Sequence, residues 1–135
     1  MKLMISIGAV LLIMGLALPQ GYSKMSADAR TTMLAGADGH HAAGKVTITK
    51  DKNGNAVLVI TDSKIDRVPD GRAHLAKDGD YTKGVELGKL KAFSGTMEFI
   101  IPAGVNPELY NSLVIWCHKF NVKIGEGFFE KELRP

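Results

Sequence analysis

Residues 112–125, SLVIWCHKFNVKIG, contain the densest apolar run that follows the N-terminal segment. Its first half, Leu113–Cys117, is apolar at every position, which is typical of a strand covered on both faces. Its second half alternates through Phe120, Val122 and Ile124, which predicts a half-buried continuation. This pattern favours a β-rich domain in which residues 113–117 form the most buried strand.

Shorter strand patterns lie upstream of this stretch, and turn signals separate them. Val46–Thr49 alternates apolar and polar residues, and Asn53-Gly54 then favours the positive φ angles of a tight hairpin. Val57–Ile60 is a continuous apolar run, as expected of an interior strand. Further strands are predicted at Arg72–Ala76 and at residues 96–101. Many short strands between turns predict an all-β fold, an antiparallel β-sandwich or barrel-like single domain, with a short N-terminal signal helix.

Other segments lack a strand pattern. Ser26–Leu34 is expected to be a short helix or a leader, because Ser26 is a good N-cap and Asp28 would lie in the first turn. Residues 77–84, KDGDYTKG, are predicted to be a polar loop. Pro107–Tyr110 is expected to form one helical turn, since proline suits the first helical position.

The N-terminal segment has the layout of a secretory signal peptide. Lys2 is the one charge before an apolar run, Leu3–Leu18, and Pro19 then breaks the run. Small residues favour cleavage after Ser23, with a cut after Gly21 as the alternative. An uncleaved membrane anchor is the rival interpretation, although the run is shorter than the about 20 residues of a spanning helix. The predicted domains are a signal peptide at 1–23, a leader or short helix at 24–35 and a β domain at 36–135.

Charge and size limit the partners of this chain. Removing residues 1–23 deletes only Lys2, so the net charge falls from +3 to +2. The lysines are scattered singly, which argues against binding to nucleic acid or to an anionic membrane. Contact with a membrane is expected only if the signal segment stays uncleaved. About 110 residues remain, enough for one domain. We expect an exported protein, periplasmic or extracellular, with an unidentified redox partner or extracytoplasmic ligand.

Cys117 is the single cysteine, so an exported chain could form no internal disulfide. It is a packed core residue, a residue paired with another molecule, or a reactive thiol. A reactive thiol requires partial exposure or a positive neighbour. Successive strand side chains point to opposite faces, so His118 should face away from Cys117 and share the face of Trp116. The candidates for an activating partner are then His40, His41 and His74.

Histidine and tryptophan side chains supply the other candidate site residues. His40 and His41 lie in a glycine-rich turn, where a metal site is one hypothesis and a plain polar loop is the other. Trp116 and His118 are candidates for contact with a cofactor, although Trp116 could equally be a core aromatic. A c-type haem motif is absent and one cysteine excludes a four-thiolate iron-sulfur cluster, so the cofactor is unidentified. No hydrolase or phosphate-binding motif occurs, which favours a redox or binding module over a turnover enzyme.

Three motifs carry a family resemblance. A histidine, two small residues and a glycine occur at 41–44, and a leucine-glycine pair at 87–88 precedes Gly95. The most specific motif is Trp116-Cys117 with Phe120 three residues further on. Together these motifs resemble the DM-13 family, also called the electron-transfer DM-13 domain, over Met33–Phe128.

This resemblance implies an extracellular β domain with a redox or ligand-binding role. The expected function is therefore electron transfer centred on Cys117 as a candidate redox thiol. The alternative is a non-catalytic binding or structural module in which Cys117 only packs. The chain departs from the family pattern at residues 73–75, AHL, and at Gly127, which affects packing more than family membership.

Overall fold

The computed structural model describes residues 29–130, and within them eight β-strands and one 3-10 turn account for the regular structure. The strands are β1 (Arg30–Gly36), β2 (Ala42–Lys50), β3 (Ala56–Ile65), β4 (Gly71–Lys77), β5 (Asp80–Lys89), β6 (Ser94–Ile100), β7 (Ser112–Cys117) and β8 (Val122–Phe128), and the 3-10 turn is Pro107–Leu109.

All eight strands belong to one antiparallel sheet, in the order β5-β4-β7-β8-β1-β2-β3-β6. The sheet curls into a half-barrel with β5 and β6 at its edges. Strand β7 lies in the interior of the sheet, because β4 pairs with it on one side and β8 on the other. The prediction of an all-β antiparallel fold is confirmed, and the form it takes is a single curved sheet.

The hydrophobic core lies on one face of this sheet. Alternate residues of β7, namely Leu113, Ile115 and Cys117, are fully buried there. Ala73 and Leu75 of the neighbouring strand β4 join the same cluster. Burying each of the leucine and isoleucine side chains stabilises the fold by about 1.5–3 kcal/mol. The other strands contribute further core residues, among them Val46, Ile48, Leu58, Ile60, Met97, Phe99 and Ile124.

Several local predictions are confirmed. Gly54 has the positive φ angle, 84°, expected of the β2–β3 hairpin. The helical turn at Pro107–Leu109 is capped by Asn106, whose side-chain oxygen accepts a hydrogen bond from the Glu108 backbone N–H at 3.0 Å. Val114 is buried as well as its core-facing neighbours, so residues 113–115 of β7 are covered on both faces.

The prediction of a short helix at Ser26–Leu34 is wrong for the part of it that the structure describes. Residues Arg30–Gly36 form strand β1, which pairs with β2 from Arg30↔Ile48 to Ala35↔Ala43. The β-branched pair Thr31-Thr32 is better suited to a strand than to a helix, and β2 supplies the hydrogen bonds. A capping side chain is a local signal, whereas the pairing of β1 depends on residues 42–50 of β2.

The polar loop predicted at residues 77–84 is also wrong. Asp78 and Gly79 have φ angles of 54° and 74° and form a tight turn, across which Lys77 pairs with Asp80. Asp-Gly is a strong hairpin signal, and β5 begins directly after it. Its polar residues conceal the strand because β5 is an edge strand with exposed positions.

Phe120 does not continue the predicted alternation after β7. It lies in the turn between β7 and β8, and 62% of its surface is exposed. The alternation resumes only at Val122, where β8 begins.

The signal peptide and its predicted helix lie outside the described residues. Within residues 29–130, no helix is long and apolar enough to cross a membrane.

Gly84 holds β5 close against β4, and this contact gives a test of the fold. A Cβ at position 84 would collide with the backbone carbonyl oxygen of Leu75 and lie 2.9 Å from the Ala76 Cα. We therefore expect Gly84→Ala to lower the free energy of unfolding by about 2 kcal/mol or more, since backbone must move. Urea denaturation measures this change.

Gly104→Ala is the matched control, because a Cβ at position 104 meets nothing within 4 Å. Its effect should stay within about 0.5 kcal/mol. Equal stability losses in the two variants would contradict the close approach of β5 to β4.

Candidate functional site

A cluster of polar and aromatic side chains covers the face of β4, β5 and β7 opposite the core. His74 lies at its centre, in the middle of β4, where its neighbours Ala73 and Leu75 point into the core. Strand alternation therefore turns His74 to the outer face. His74 is nevertheless only 4% exposed, because the side chains of β5 and of the β7–β8 turn cover it.

His118 contacts His74 from the turn that follows β7. It directly follows β7, and its backbone N–H donates to the Asp70 carbonyl at 3.0 Å, which extends the β4–β7 pairing. The two imidazole Nε2 atoms lie 3.0 Å apart, close enough for one ring to donate to the other. The His118 side chain is 31% exposed, so solvent reaches the cluster from this side.

Glu86 completes a triad with the two histidines. It lies directly opposite His74 in the β4–β5 register. Its Oε1 is 3.9 Å from His118 Nε2 and accepts a hydrogen bond from Arg72 Nη1 at 3.1 Å. One ligand atom from each of His74, Glu86 and His118 lies within 4.8 Å of the others, so the three could hold a metal ion.

Arg72 is itself held by Asp70. Its Nε and Nη2 donate to the two Asp70 carboxylate oxygens at 2.9 and 3.2 Å. These hydrogen bonds from Arg72 hold the pKa of the Asp70 carboxyl below its usual range, and Asp70 and Glu86 raise the pKa of Arg72. The resulting Asp70–Arg72–Glu86 chain fixes the Glu86 carboxylate beside His118.

Two aromatic rings, those of Tyr81 and Trp116, stack on each other beside the histidines. Tyr81 of β5 stacks on Trp116 of β7 with ring centroids 4.3 Å apart and an interplanar angle of 31°. Tyr81 also contacts His74 at 5.2 Å and His118 edge-on at 5.5 Å. Within residues 29–130, the Trp116 Nε1 is the one buried side-chain nitrogen or oxygen atom without a hydrogen-bond partner.

Burial controls the protonation of His74. Desolvation, and then the nearby imidazole of His118, lower the pKa of His74 from its ordinary 6.5 to about 4, against the opposing effect of Glu86. His74 is therefore uncharged at neutral pH, and its ring keeps one free nitrogen lone pair.

Cys117 lies on the opposite side of the sheet from this cluster. Its side chain is 0% exposed and belongs to the hydrophobic core. The expectation that Trp116 and His118 share a face and that Cys117 points away from them agrees with the contacts of Tyr81, which touches both rings. The candidate activating residue His74 contacts His118 on the outer face instead of approaching the thiol.

His40 and His41 meet at Asp66. Their Nδ1 atoms lie 3.7 and 3.6 Å from Asp66 Oδ2, and the His41 backbone N–H donates to the same oxygen at 2.8 Å. That backbone hydrogen bond is the main cause that lowers the pKa of Asp66. The His41 side chain is 92% exposed, which suits a polar loop. In the described part of the chain, the three-residue group with metal-ligand geometry is at His74, not here.

Reasoning from the sequence missed Tyr81, Glu86 and Arg72 as members of the site. Their contacts depend on the register of β5 against β4, which shifts between Ala73 and His74 and between Leu75 and Lys77. Because a two-residue turn at Asp78-Gly79 alone would place Lys83 opposite His74, the sequence held no signal for the pairing of His74 with Glu86.

The fold and the cluster together define a small all-β domain with a polar and aromatic site on the outer face of its sheet. The chain belongs to the DM13 family: the family model described as "Electron transfer DM13" matches residues 35–128. The resemblance that the sequence motifs carry is thereby confirmed. Comparison with curated proteins and with solved structures gives no match.

The lowered pKa of His74 predicts a pH-dependent stability. The unfolded chain binds the His74 proton below pH 6.5, whereas the folded protein binds it only near pH 4. Stability due to the neutral ring is therefore present above pH 6.5 and is lost as the pH falls toward 4. We expect a loss of about 2 kcal/mol from this group between pH 7 and pH 4.5.

Urea denaturation at a series of pH values, with a chelator present, measures this loss. His74→Phe should flatten the acid limb by that amount, and His41→Gln should leave it unchanged. An identical acid limb in wild type and His74→Phe would show that His74 is not held neutral by the fold.

Proposed function

We propose that this protein is an exported electron-transfer domain whose redox centre is the outer cluster of His74, Tyr81, Glu86, Trp116 and His118. The observation that carries the proposal is the convergence of two imidazoles and a carboxylate beside a stacked tyrosine–tryptophan pair. These groups come from three neighbouring strands and from the turn after β7, so the sheet fixes their relative positions.

Partial exposure of the cluster supports this role. His118 and Glu86 are 31% and 40% exposed at their side chains, so a redox partner or a small ligand can reach them. His74 and the Nε1 atom of Trp116 are buried, and the lower dielectric there strengthens polar interactions. The unpartnered indole N–H of Trp116 supports a binding role, because leaving such a donor buried costs about 1–3 kcal/mol.

The rival proposal centres electron transfer on the thiol of Cys117. Disulfide exchange and sulfenic acid formation both need a thiolate that a second molecule can reach. A side chain with 0% exposure in an aliphatic core meets neither condition without local opening. Its burial supports the packing role that the sequence left as the alternative.

Export is part of the proposal, and it rests on the N-terminal sequence. Lys2, the apolar run Leu3–Leu18 and the small residues before position 24 favour a cleaved signal peptide and a periplasmic or extracellular location. A buried thiol fits such a location, because oxidants and other thiols outside the cytoplasm have no access to it.

The thiol is tested directly with an aromatic disulfide reagent. We expect Cys117 to remain unmodified in the folded protein, because the core shields the sulfur. In concentrated guanidinium chloride, which unfolds the protein, Cys117 should react fully. Absorbance of the released thiolate measures the reaction. Rapid, stoichiometric reaction of the native protein would contradict the packing role and favour the thiol-centred proposal.

The position of the redox centre is tested on protein purified from its native compartment. One sample gives the absorbance spectrum, the metal content, the intact mass and a voltammogram. We expect a reversible redox signal that persists in Cys117→Ala and is lost in His118→Gln, with His41→Gln as the exposed-histidine control. Circular dichroism verifies that each variant is folded.

Two outcomes oppose the proposal. Loss of the signal in folded Cys117→Ala would assign electron transfer to the thiol. Absence of any redox signal in the wild-type sample would favour the non-catalytic binding or structural module.

A further inference from the structure

We infer that His74, Glu86 and His118 form a binding site for one divalent transition-metal ion, with Cu²⁺ as the ion that fits best. This inference deepens the proposed function, because it names the group that the outer cluster would hold. The binding itself is independent of electron transfer and can be measured separately.

The three ligands converge without rearrangement of the sheet. Their ligand atoms lie within 4.8 Å of one another, and each residue comes from a different segment: β4, β5 and the turn after β7. Direct pairing of His74 with Glu86 fixes one side of the triad. The hydrogen bond from the His118 backbone N–H to the Asp70 carbonyl fixes the other side.

The donor set selects the class of ion. Two imidazole nitrogens and one carboxylate suit Zn²⁺, Cu²⁺, Ni²⁺ and Fe²⁺, whereas Ca²⁺ and Mg²⁺ prefer sites built from oxygen alone.

The distance between the two imidazole nitrogens favours some of these ions over others. Bonds of about 2.0–2.1 Å from one ion to two nitrogens 3.0 Å apart enclose an angle of about 95°. That angle is close to the 90° of tetragonal or octahedral coordination and smaller than the tetrahedral angle that Zn²⁺ takes in structural sites. The site therefore favours Cu²⁺ over Zn²⁺ by geometry as well as by intrinsic affinity.

The surroundings of the triad resemble the supporting shell of a metal site. Arg72 donates to Glu86 Oε1 and orients the carboxylate, while Asp70 balances most of the Arg72 charge that would repel a cation. Hydrogen bonds of this kind to a ligating carboxylate are typical of metal sites. Tyr81 covers one side of both histidines. Glu86 and His118 leave the other side open to solvent for entry of the ion.

Trp116 gives the site a built-in reporter. It is the single tryptophan of the chain, and it stacks on Tyr81, which contacts both histidines. A paramagnetic Cu²⁺ ion at the triad would therefore quench most of the tryptophan fluorescence. The experiment titrates Cu²⁺ and then Zn²⁺ into protein purified from its native compartment and stripped with a chelator. Electron paramagnetic resonance of the Cu²⁺ form counts the nitrogen ligands.

We expect one ion per chain, two equatorial nitrogens, and tighter binding of Cu²⁺ than of Zn²⁺. His118→Gln should weaken Cu²⁺ binding by about 100-fold or more, and Arg72→Gln by about 10-fold, since Arg72 acts through Glu86. The control His41→Gln should keep wild-type affinity, because His41 is an exposed loop residue beside Asp66. His118 is partly exposed, so its variant is expected to fold, and circular dichroism verifies this.

Saturating Cu²⁺ that leaves Trp116 fluorescence unchanged would overturn the inference, as would equal affinity in folded His118→Gln or loss of binding in His41→Gln. The proposed function fails separately. If the ion binds as expected but shows no reversible redox signal, the metal site stands and the electron-transfer role falls. If a redox signal independent of Cys117 appears in protein that binds no ion, the electron-transfer role stands and the metal site falls.

Discussion

The alternation of side chains along β7 is the constraint on which the rest of the molecule depends. Leu113, Ile115 and Cys117 point into the core, so Trp116 must point to the outer face, and His118 lies on that face too. Strand β7 pairs with β4 on one side and with β8 on the other. A one-residue shift of β7, which would turn each side chain to the opposite face, would therefore break two ladders of hydrogen bonds. This strand therefore supplies three residues of the core and, on its outer face, Trp116 of the candidate site.

Strand β4 places His74 in the site through its pairing with two neighbouring strands. Its pairing with β7 sets His74 against Val114, and its pairing with β5 sets His74 against Glu86. The imidazole is consequently buried between neighbours from both sides and stays neutral. The Asp70–Arg72–Glu86 chain neutralises charge at the rim, where solvent screening makes each ion pair worth only about 0–1 kcal/mol. Its contribution is to orient the Glu86 carboxylate rather than to stabilise the fold.

Local patterns were sufficient to predict elements whose signal lies in consecutive residues. The apolar run of β7, the Asn53-Gly54 hairpin and the turn at Pro107 all formed where expected. Strands β1 and β5 were missed because neither carries a buried alternating face: Leu34 is the one buried residue of β1, and β5 has none. Backbone pairing with β2 and with β4 holds these two strands in the sheet, and such pairing leaves no periodic apolar signal in the sequence.

The β-rich class, the family motifs and the opposite orientation of Cys117 and His118 could be predicted, since each follows from neighbouring residues and the two-residue period of a strand. The full burial of Cys117 and the convergence of His74, Glu86 and His118 could not be predicted in this way, because both depend on the folded sheet. That meeting requires the register of β5 on β4 and of β4 on β7, which joins residues 12 to 44 positions apart. Register depends on the packing of the whole sheet, and no single segment encodes it.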